Sequence, residues 1–138
     1  MAYKTLLHRW FEGVWNQGRE SAIDELVADD FVTEGLSDAA GNPVRGPASF
    51  KPFYRQFRTA FPDMHFTIED SLVEGDKILV RCRVRATHTG PGFTPSPTNK
   101  TVDFTGMCLV RVQDGKLAQG WNSFDFLTLY QQLGMKLS

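Results

Sequence analysis

At Met64 the apolar pattern of the chain changes period, and no other feature restricts the fold as much. Before that point apolar residues recur every three or four positions; after it they recur every second position. Met64, Phe66, Ile68 and Leu72 alternate with more polar residues, and Glu74-Gly75-Asp76 then turns the chain. Ile78, Val80, Cys82, Val84, Ala86 and His88 form one face of the next strand, with Arg81, Arg83 and Arg85 on the other. A loop of small residues, Gly and Pro follows from Thr89 to Lys100, and a third strand runs from Thr101 to Gln113. Asp114-Gly115 is a strong two-residue hairpin signal and leads into a fourth strand. Helical stripes followed by a meander of long strands predict an α+β fold, with helices on one face of a curved antiparallel sheet.

The helical part is aromatic. Leu6, Leu7, Trp10, Phe11, Val14 and Trp15 make one stripe, which should stop near Asn16-Gln17-Gly18 because Gly suits the left-handed position past a helix end. A shorter helix is expected over Arg19 to Val27, then a short extended piece at Phe31-Val32 and a turn-rich loop from Ser37 to Gly46. Pro47 suits the first turn of a third helix, whose stripe is Phe50, Phe53, Tyr54, Phe57 and Phe61. These rings read first as core. Some of them, Phe57 and Tyr54 included, are also candidates for a ligand-cavity wall, since a buried tyrosine hydroxyl needs a polar partner.

Residues 1–138 are one domain's worth of chain, enough to bury a single sizeable core. Lys plus Arg number 15 against 16 Asp plus Glu, without a basic run, so the electrostatic footprint of a nucleic-acid binder is missing. Lys4, His8, Arg9 and Glu12 interrupt the N-terminus as a signal peptide, and no apolar run reaches membrane-span length, so a cytoplasmic domain without membrane contact is expected. Two cysteines, Cys82 and Cys108, are too few for a disulfide scaffold or a zinc site and are expected to be reduced thiols. Three scattered His residues offer no metal-ligand spacing, and no Gly-rich phosphate loop follows a strand. No metal and no cofactor are expected.

A tight turn at Asp114-Gly115 pairs residues whose numbers sum to about 229, setting Phe104 opposite Asp125, Gly106 opposite Ser123 and Cys108 opposite Trp121. Symmetric closure of the loop after His88 gives a sum of about 190 for the preceding pair, so that Cys82 faces Cys108. On that register Cys82, His88, Phe104, Gly106, Cys108, Trp121 and Asp125 share the buried face. His88 and Asp125 then lie roughly 12 Å apart at one end of the sheet. In the first hairpin, an odd-numbered turn through Glu74 to Asp76 keeps the apolar set inside and His65 outside.

Asp125 is the leading chemical residue. A carboxylate between Phe124 and Phe126, on an apolar face, would have its pKa raised into the range of a general acid or base. The same residue suits the N-cap of a helix beginning near Phe126, and the two readings are compatible. His88 ends an apolar strand face, as a core histidine or as a second catalytic group. Trp121, Asn122 and Phe104 are candidates to shape the pocket or bind its ligand.

Arg85-Ala86-Thr87-His88-Thr89-Gly90, Val102-Asp103-Phe104, and Gly115-Lys116-Leu117 through Trp121 and Asp125 to Gln131-Gln132-Leu133-Gly134 resemble the SnoaL-like polyketide cyclases. These ester-cyclase relatives belong to the NTF2-like superfamily. Trp15-Asn16-Gln17-Gly18, Phe61-Pro62-Asp63 and Glu74-Gly75-Asp76-Lys77 also fit, so the resemblance covers nearly the whole chain. It implies a cone-shaped (cystatin-like) barrel around a deep pocket, a homodimer formed through the sheet, and a small apolar molecule as partner. It also implies that Asp125 is the acid/base of a cofactor-independent aldol-type ring closure on a carbonyl substrate. Many relatives carry a His immediately before the tryptophan; Gly120 here enlarges the pocket and removes a polar partner. A non-catalytic module that binds a small hydrophobic ligand is the alternative. A limonene-type epoxide hydrolase fits less well, because Arg81, Arg83 and Arg85 fall on the outer face. A ketosteroid-isomerase-like site would need Asp70 inward beside Tyr54.

Overall fold

The computed structural model describes residues 2–37 and 41–135, with side chains from Leu6 onward. Helix α1 (Ala2–Arg9) runs directly into a π-helical turn, Trp10–Asn16. The Gln17 N–H donates to the Glu12 carbonyl at 2.8 Å, five residues back, as the wider turn requires. Trp10, Phe11, Val14 and Trp15 are all buried by it. Asn16 fastens the end of this segment to the sheet: Phe66 N–H donates to its Oδ1 at 2.7 Å, and its Nδ2 donates to the Phe66 carbonyl at 3.0 Å.

Helix α2 is Ser21–Leu26, shorter than the expected Arg19 to Val27, because Val27 is already extended and opens strand β1. Strand β1 (Val27–Ser37) is far longer than the piece expected at Phe31-Val32. Strand β2 (Pro43–Arg45) precedes helix α3 (Gly46–Ala60), which has Pro47 in its first turn and buries Phe50, Phe53, Tyr54 and Phe57. Then come β3 (His65–Glu74), β4 (Lys77–Thr87), β5 (Thr101–Gln113), β6 (Lys116–Phe124) and the short helix α4 (Phe126–Gln132).

The six strands form one open sheet in the order β2-β1-β6-β5-β4-β3. It is mixed rather than wholly antiparallel, since β1 runs parallel to β6. The helices cover its inner face, giving the α+β cone of the NTF2-like fold. Burial alternates strictly along β4, whose Ile78, Val80, Cys82, Val84 and Ala86 face the core.

Two bulges decide which side chains reach that core. The β3–β4 turn is a two-residue turn at Gly75-Asp76, with Glu74 opposite Lys77 and Gly75 left-handed at φ +59°. The extra residue expected in that turn sits instead near Glu69, where the register shifts between Ile68 and Asp70. Phe66 is therefore buried and His65 exposed, whereas Leu72, on the turn side of the bulge, is outside.

The second bulge matters more. Asp114 and Gly115 are both left-handed (φ +53° and +76°), and Gln113 pairs with Lys116, as a two-residue turn dictates. Val112 then pairs with Leu117, but Arg111 pairs with Gln119, so Ala118 is an inserted residue. Beyond it the parity of β6 is reversed. Gly106 lies opposite Phe124 and Cys108 opposite Asn122, in place of the expected Ser123 and Trp121. Between β4 and β5 the register sum is two lower than expected, with Cys82 opposite Gly106 and Val80 opposite Cys108. A shift of two leaves every side chain on its expected face.

Where β6 ends, a side chain continues the ladder. Asp125 N–H donates to the Thr105 carbonyl at 2.9 Å. Two residues further along β5, the Gln132 amide accepts from Asp103 N–H at 2.8 Å and donates to the Asp103 carbonyl at 2.9 Å.

Candidate functional site

The inner face and the helices line an apolar cavity that is partly open to solvent. The π-helical turn supplies Trp10, Phe11 and Trp15, and α3 supplies Phe50, Phe53 and Phe57. The sheet supplies Phe104, Cys108, Gly120, Asn122 and Phe124, and α4 supplies Phe126. The rings pack closely: Phe57 lies 5.0 Å from Phe53 and 6.1 Å from Phe126 between centroids, and Phe126 lies 6.4 Å from Phe104. The space left between them is about 60 Å³, room for roughly four waters. Phe124 reaches the cavity by lying flat over Gly106, where an added Cβ would stand 2.1 Å from the ring. An added Cβ at Gly120 would sit in ordinary van der Waals contact with Phe31 at 3.6 Å and the Asn122 amide at 3.8 Å, so the position admits a side chain without a clash.

Few polar groups face this space. Thr33 is buried and its hydroxyl already donates to the Val44 carbonyl at 2.7 Å. Asn122 donates from Nδ2 to the Glu34 carbonyl at 3.2 Å, and among the described residues its side-chain oxygen accepts no hydrogen bond. Among the described lining residues there is no carboxylate and no imidazole. Burial pushes the thiols of Cys82 and Cys108 up to about 12, so neither is a nucleophile at neutral pH. No group of three or more His, Cys, Asp or Glu among the described residues could hold a metal ion.

Of the residues singled out in the sequence, Phe57, Phe104 and Asn122 line the cavity, whereas Trp121, Tyr54, His88 and Asp125 do not. Trp121 lies on the outer face because the Ala118 bulge turned it there. Tyr54 is buried with its hydroxyl donating to the Val14 carbonyl at 2.8 Å, and burial raises its pKa. It braces the π-helical turn and has no donor left for a ligand. Asp70 is exposed on β3 rather than turned inward as a ketosteroid-isomerase-like site would need.

Asp125 corrects the expectation most sharply. It is exposed, not buried beside Phe104, and it caps α4. Thr128 N–H donates to its Oδ1 at 3.0 Å and the Thr128 hydroxyl to its Oδ2 at 2.6 Å. Those two bonds hold the carboxyl below its ordinary range, the opposite of the predicted elevation. It lines a shallow outer groove with Arg81, Thr105, Met107 and Ser123. Its two neighbours, Phe124 and Phe126, do face the cavity.

His88 is fully buried, and both ring nitrogens are engaged. Thr98 N–H donates to Nδ1 at 3.2 Å, so Nδ1 is an acceptor and the proton belongs on Nε2. Nε2 in turn donates to the Gly92 carbonyl at 2.8 Å. This neutral tautomer satisfies the whole ring.

No helix among the described residues is long and apolar enough to cross a membrane. Among curated proteins none matches the chain. Several solved structures do. A candidate polyketide cyclase from Bacillus cereus ATCC 10987 is 30% identical, over 99% of this chain and 83% of that one, with a TM-score of 0.82. IdmH, a candidate polyketide cyclase from Streptomyces antibioticus, is 28% identical over 96% and 99% of the two chains, with a TM-score of 0.81. AclR, a candidate hydroxylase from Streptomyces galilaeus, is 26% identical over 99% and 87%, with a TM-score of 0.82. The sequence model of one family spans residues 5–133, taking in every wall of the cavity. The chain belongs to the SnoaL-like polyketide cyclase family.

Proposed function

We propose that the protein binds a small, largely apolar, ring-bearing molecule with a carbonyl or hydroxyl edge in the cavity beneath the sheet, the site at which chemistry of the family's kind would be carried. One observation carries this reading: a wall of aromatic rings interrupted by Asn122, whose side-chain oxygen accepts no hydrogen bond among the described residues. The names of the relatives, candidate cyclases and a candidate hydroxylase, point to such molecules while differing in reaction. The rings fill most of the cavity, so a ligand is accommodated by rotamer changes of Phe57 and Phe126. Gly120→Phe fills the space beneath Phe31 without touching the outer face. A fluorescent naphthyl ketone should bind the wild type and not Gly120→Phe, with both proteins folded. Equal binding to both would remove the cavity as the site.

A second reading keeps Asp125 as the acid/base of an aldol-type ring closure, favoured by its position between two cavity-lining rings. To act, the carboxylate would exchange Thr128 for the α-proton of a bound ketone. Turnover of a cyclising diketone unchanged in Asp125→Asn would eliminate it.

The partner we propose for the outer face is a second copy of the chain. Leu72, Leu79, Leu109 and Trp121 are consecutive register partners and form an apolar row across four strands. On this face Arg83 makes a two-pronged pair with Asp103 at 2.8 and 2.7 Å and Arg81 pairs with Glu69 at 3.1 Å, while Arg111 donates to the side-chain oxygens of Gln113 at 2.9 Å and Gln119 at 3.4 Å.

A further inference from the structure

Four residues of the cavity wall, Leu36, Phe53, Phe57 and Phe126, also line a second space of about 360 Å³. This vestibule is bounded by the end of β1, α3, α4 and the 88–100 loop. Its far side differs from the cavity: Ser37, Gln56 and Tyr130 bring two hydroxyls and an amide. Among the described residues none of the three side chains makes a hydrogen bond. Tyr130 is half-buried, lines the vestibule and stacks on Phe126, with centroids 6.4 Å apart and planes 21° apart.

The partition between the two spaces is also built. Phe93 leans on Phe57 (5.0 Å) and Phe61 (5.5 Å). It adopts a left-handed backbone, φ +69°, which a bulky residue holds only when its surroundings impose it. They do so through two anchors. His88 grips Gly92 from inside the core. Gly90 N–H donates to the Ala60 carbonyl at 3.1 Å, and the loop packs so closely on α3 that an added Cβ at Gly90 would stand 1.8 Å from the Thr59 carbonyl oxygen.

We propose that the vestibule is a second binding subsite, so that the ligand is a two-part molecule. An apolar ring portion occupies the inner cavity, and a hydroxyl- or carbonyl-bearing extension passes the Phe57–Phe126 partition to hydrogen-bond with Tyr130 and Gln56. His88 is then a positioning residue, which sets Phe93, and through it Phe57, at the width that admits the extension. The inference rests on the cavity being the ligand site.

The test compares two probes on the intact protein, methoxy-acetylnaphthalene and its analogue bearing a hydroxypropoxy tail in place of the methoxy group. One or two added hydrogen bonds should make the tailed probe bind about fivefold tighter. In the double variant Gln56→Leu, Tyr130→Phe that advantage should vanish while the parent probe binds as before. Both substitutions preserve bulk at exposed or half-buried positions, and thermal melting checks that the fold is kept. Phe93→Ala should let both probes bind with their difference reduced, whereas Phe93→Leu should restore it. If the parent binds but the tail gives no gain, or if the gain survives the double variant, the subsite is overturned and the cavity stands. If neither probe binds, the cavity reading itself fails.

Discussion

The two faces of β4, β5 and β6 are built from the same strands and differ in almost everything else. The inner face carries Val80, Val84, Phe104, Cys108 and Phe124 against the helical rings. The outer face carries Arg81, Arg83, Arg85, Met107 and Trp121 in salt-bridged and apolar rows. What separates them on β6 is a single inserted residue, Ala118. Without it Trp121, Ser123 and Asp125 would point inward and the cavity would hold a carboxylate. With it the cavity is apolar and the carboxylate caps a helix. In a half-buried sheet the chemistry of a site is a matter of parity before it is a matter of residue identity.

Deleting Ala118 is the strongest way to break the contrast. The deletion forces β6 either to slip, driving Trp121 and Ser123 into the core, or to unpair. Either outcome should cost at least about 4 kcal/mol, the range reached only by core disruption. Chemical denaturation would measure it, and a loss below about 1 kcal/mol would mean that the bulge does not hold the register.

A smaller effect is expected from Trp121→Glu. Placing a charge in the outer apolar row should weaken self-association at least about tenfold, a loss of roughly 1.4 kcal/mol, while leaving naphthyl-ketone binding untouched. Sedimentation at a series of concentrations reads the first and fluorescence the second. A wild-type protein that stays monomeric throughout would dispose of the proposed pairing.

The smallest effect belongs to Asp125. Its carboxyl should titrate below the ordinary ~3.9 of a free aspartate, because Thr128 donates to the ionised form from both its hydroxyl and its backbone. The sign follows from linkage: the carboxylate contributes stability above the unfolded-state pKa, and that contribution disappears as pH falls through the lower native value. Carbon-detected titration of the wild type and of Thr128→Val should show the variant's value moved up toward the ordinary one. An Asp125 value above the ordinary one would instead fit a carboxyl facing the cavity.

Much of this was legible without coordinates. The change of period at Met64, the Asp114-Gly115 turn and the apolar face of β4 are local signals, each fixed by residues within one strand or turn of each other. The family resemblance marked the same cone and the same closing motif. What stayed hidden depends on partners far away in the chain. Strand β1 pairs with β6 about 90 residues later, and Asp29-Asp30 interrupts the alternation that would have marked its length. The bulge at Ala118 is a compromise between the Val112 and Arg111 pairings, and both Leu117 and Ala118 are buried by it. An alanine beside a leucine carries no sign of that in sequence. The Asp125 cap was visible as an N-cap preference, but parity decided between cap and cavity.

Gln132 gives the closing motif a purpose that concerns other copies of the chain rather than this one. Where β6 ends, β5 would present the Asp103 N–H and carbonyl as an open rung, the template onto which a strand from another molecule adds. The glutamine amide has the same donor and acceptor as a peptide group, and it fills that rung from within the chain. The stretch of β5 that runs past the end of β6 is thereby closed by a side chain, so a strand arriving there finds both hydrogen bonds of that rung already taken.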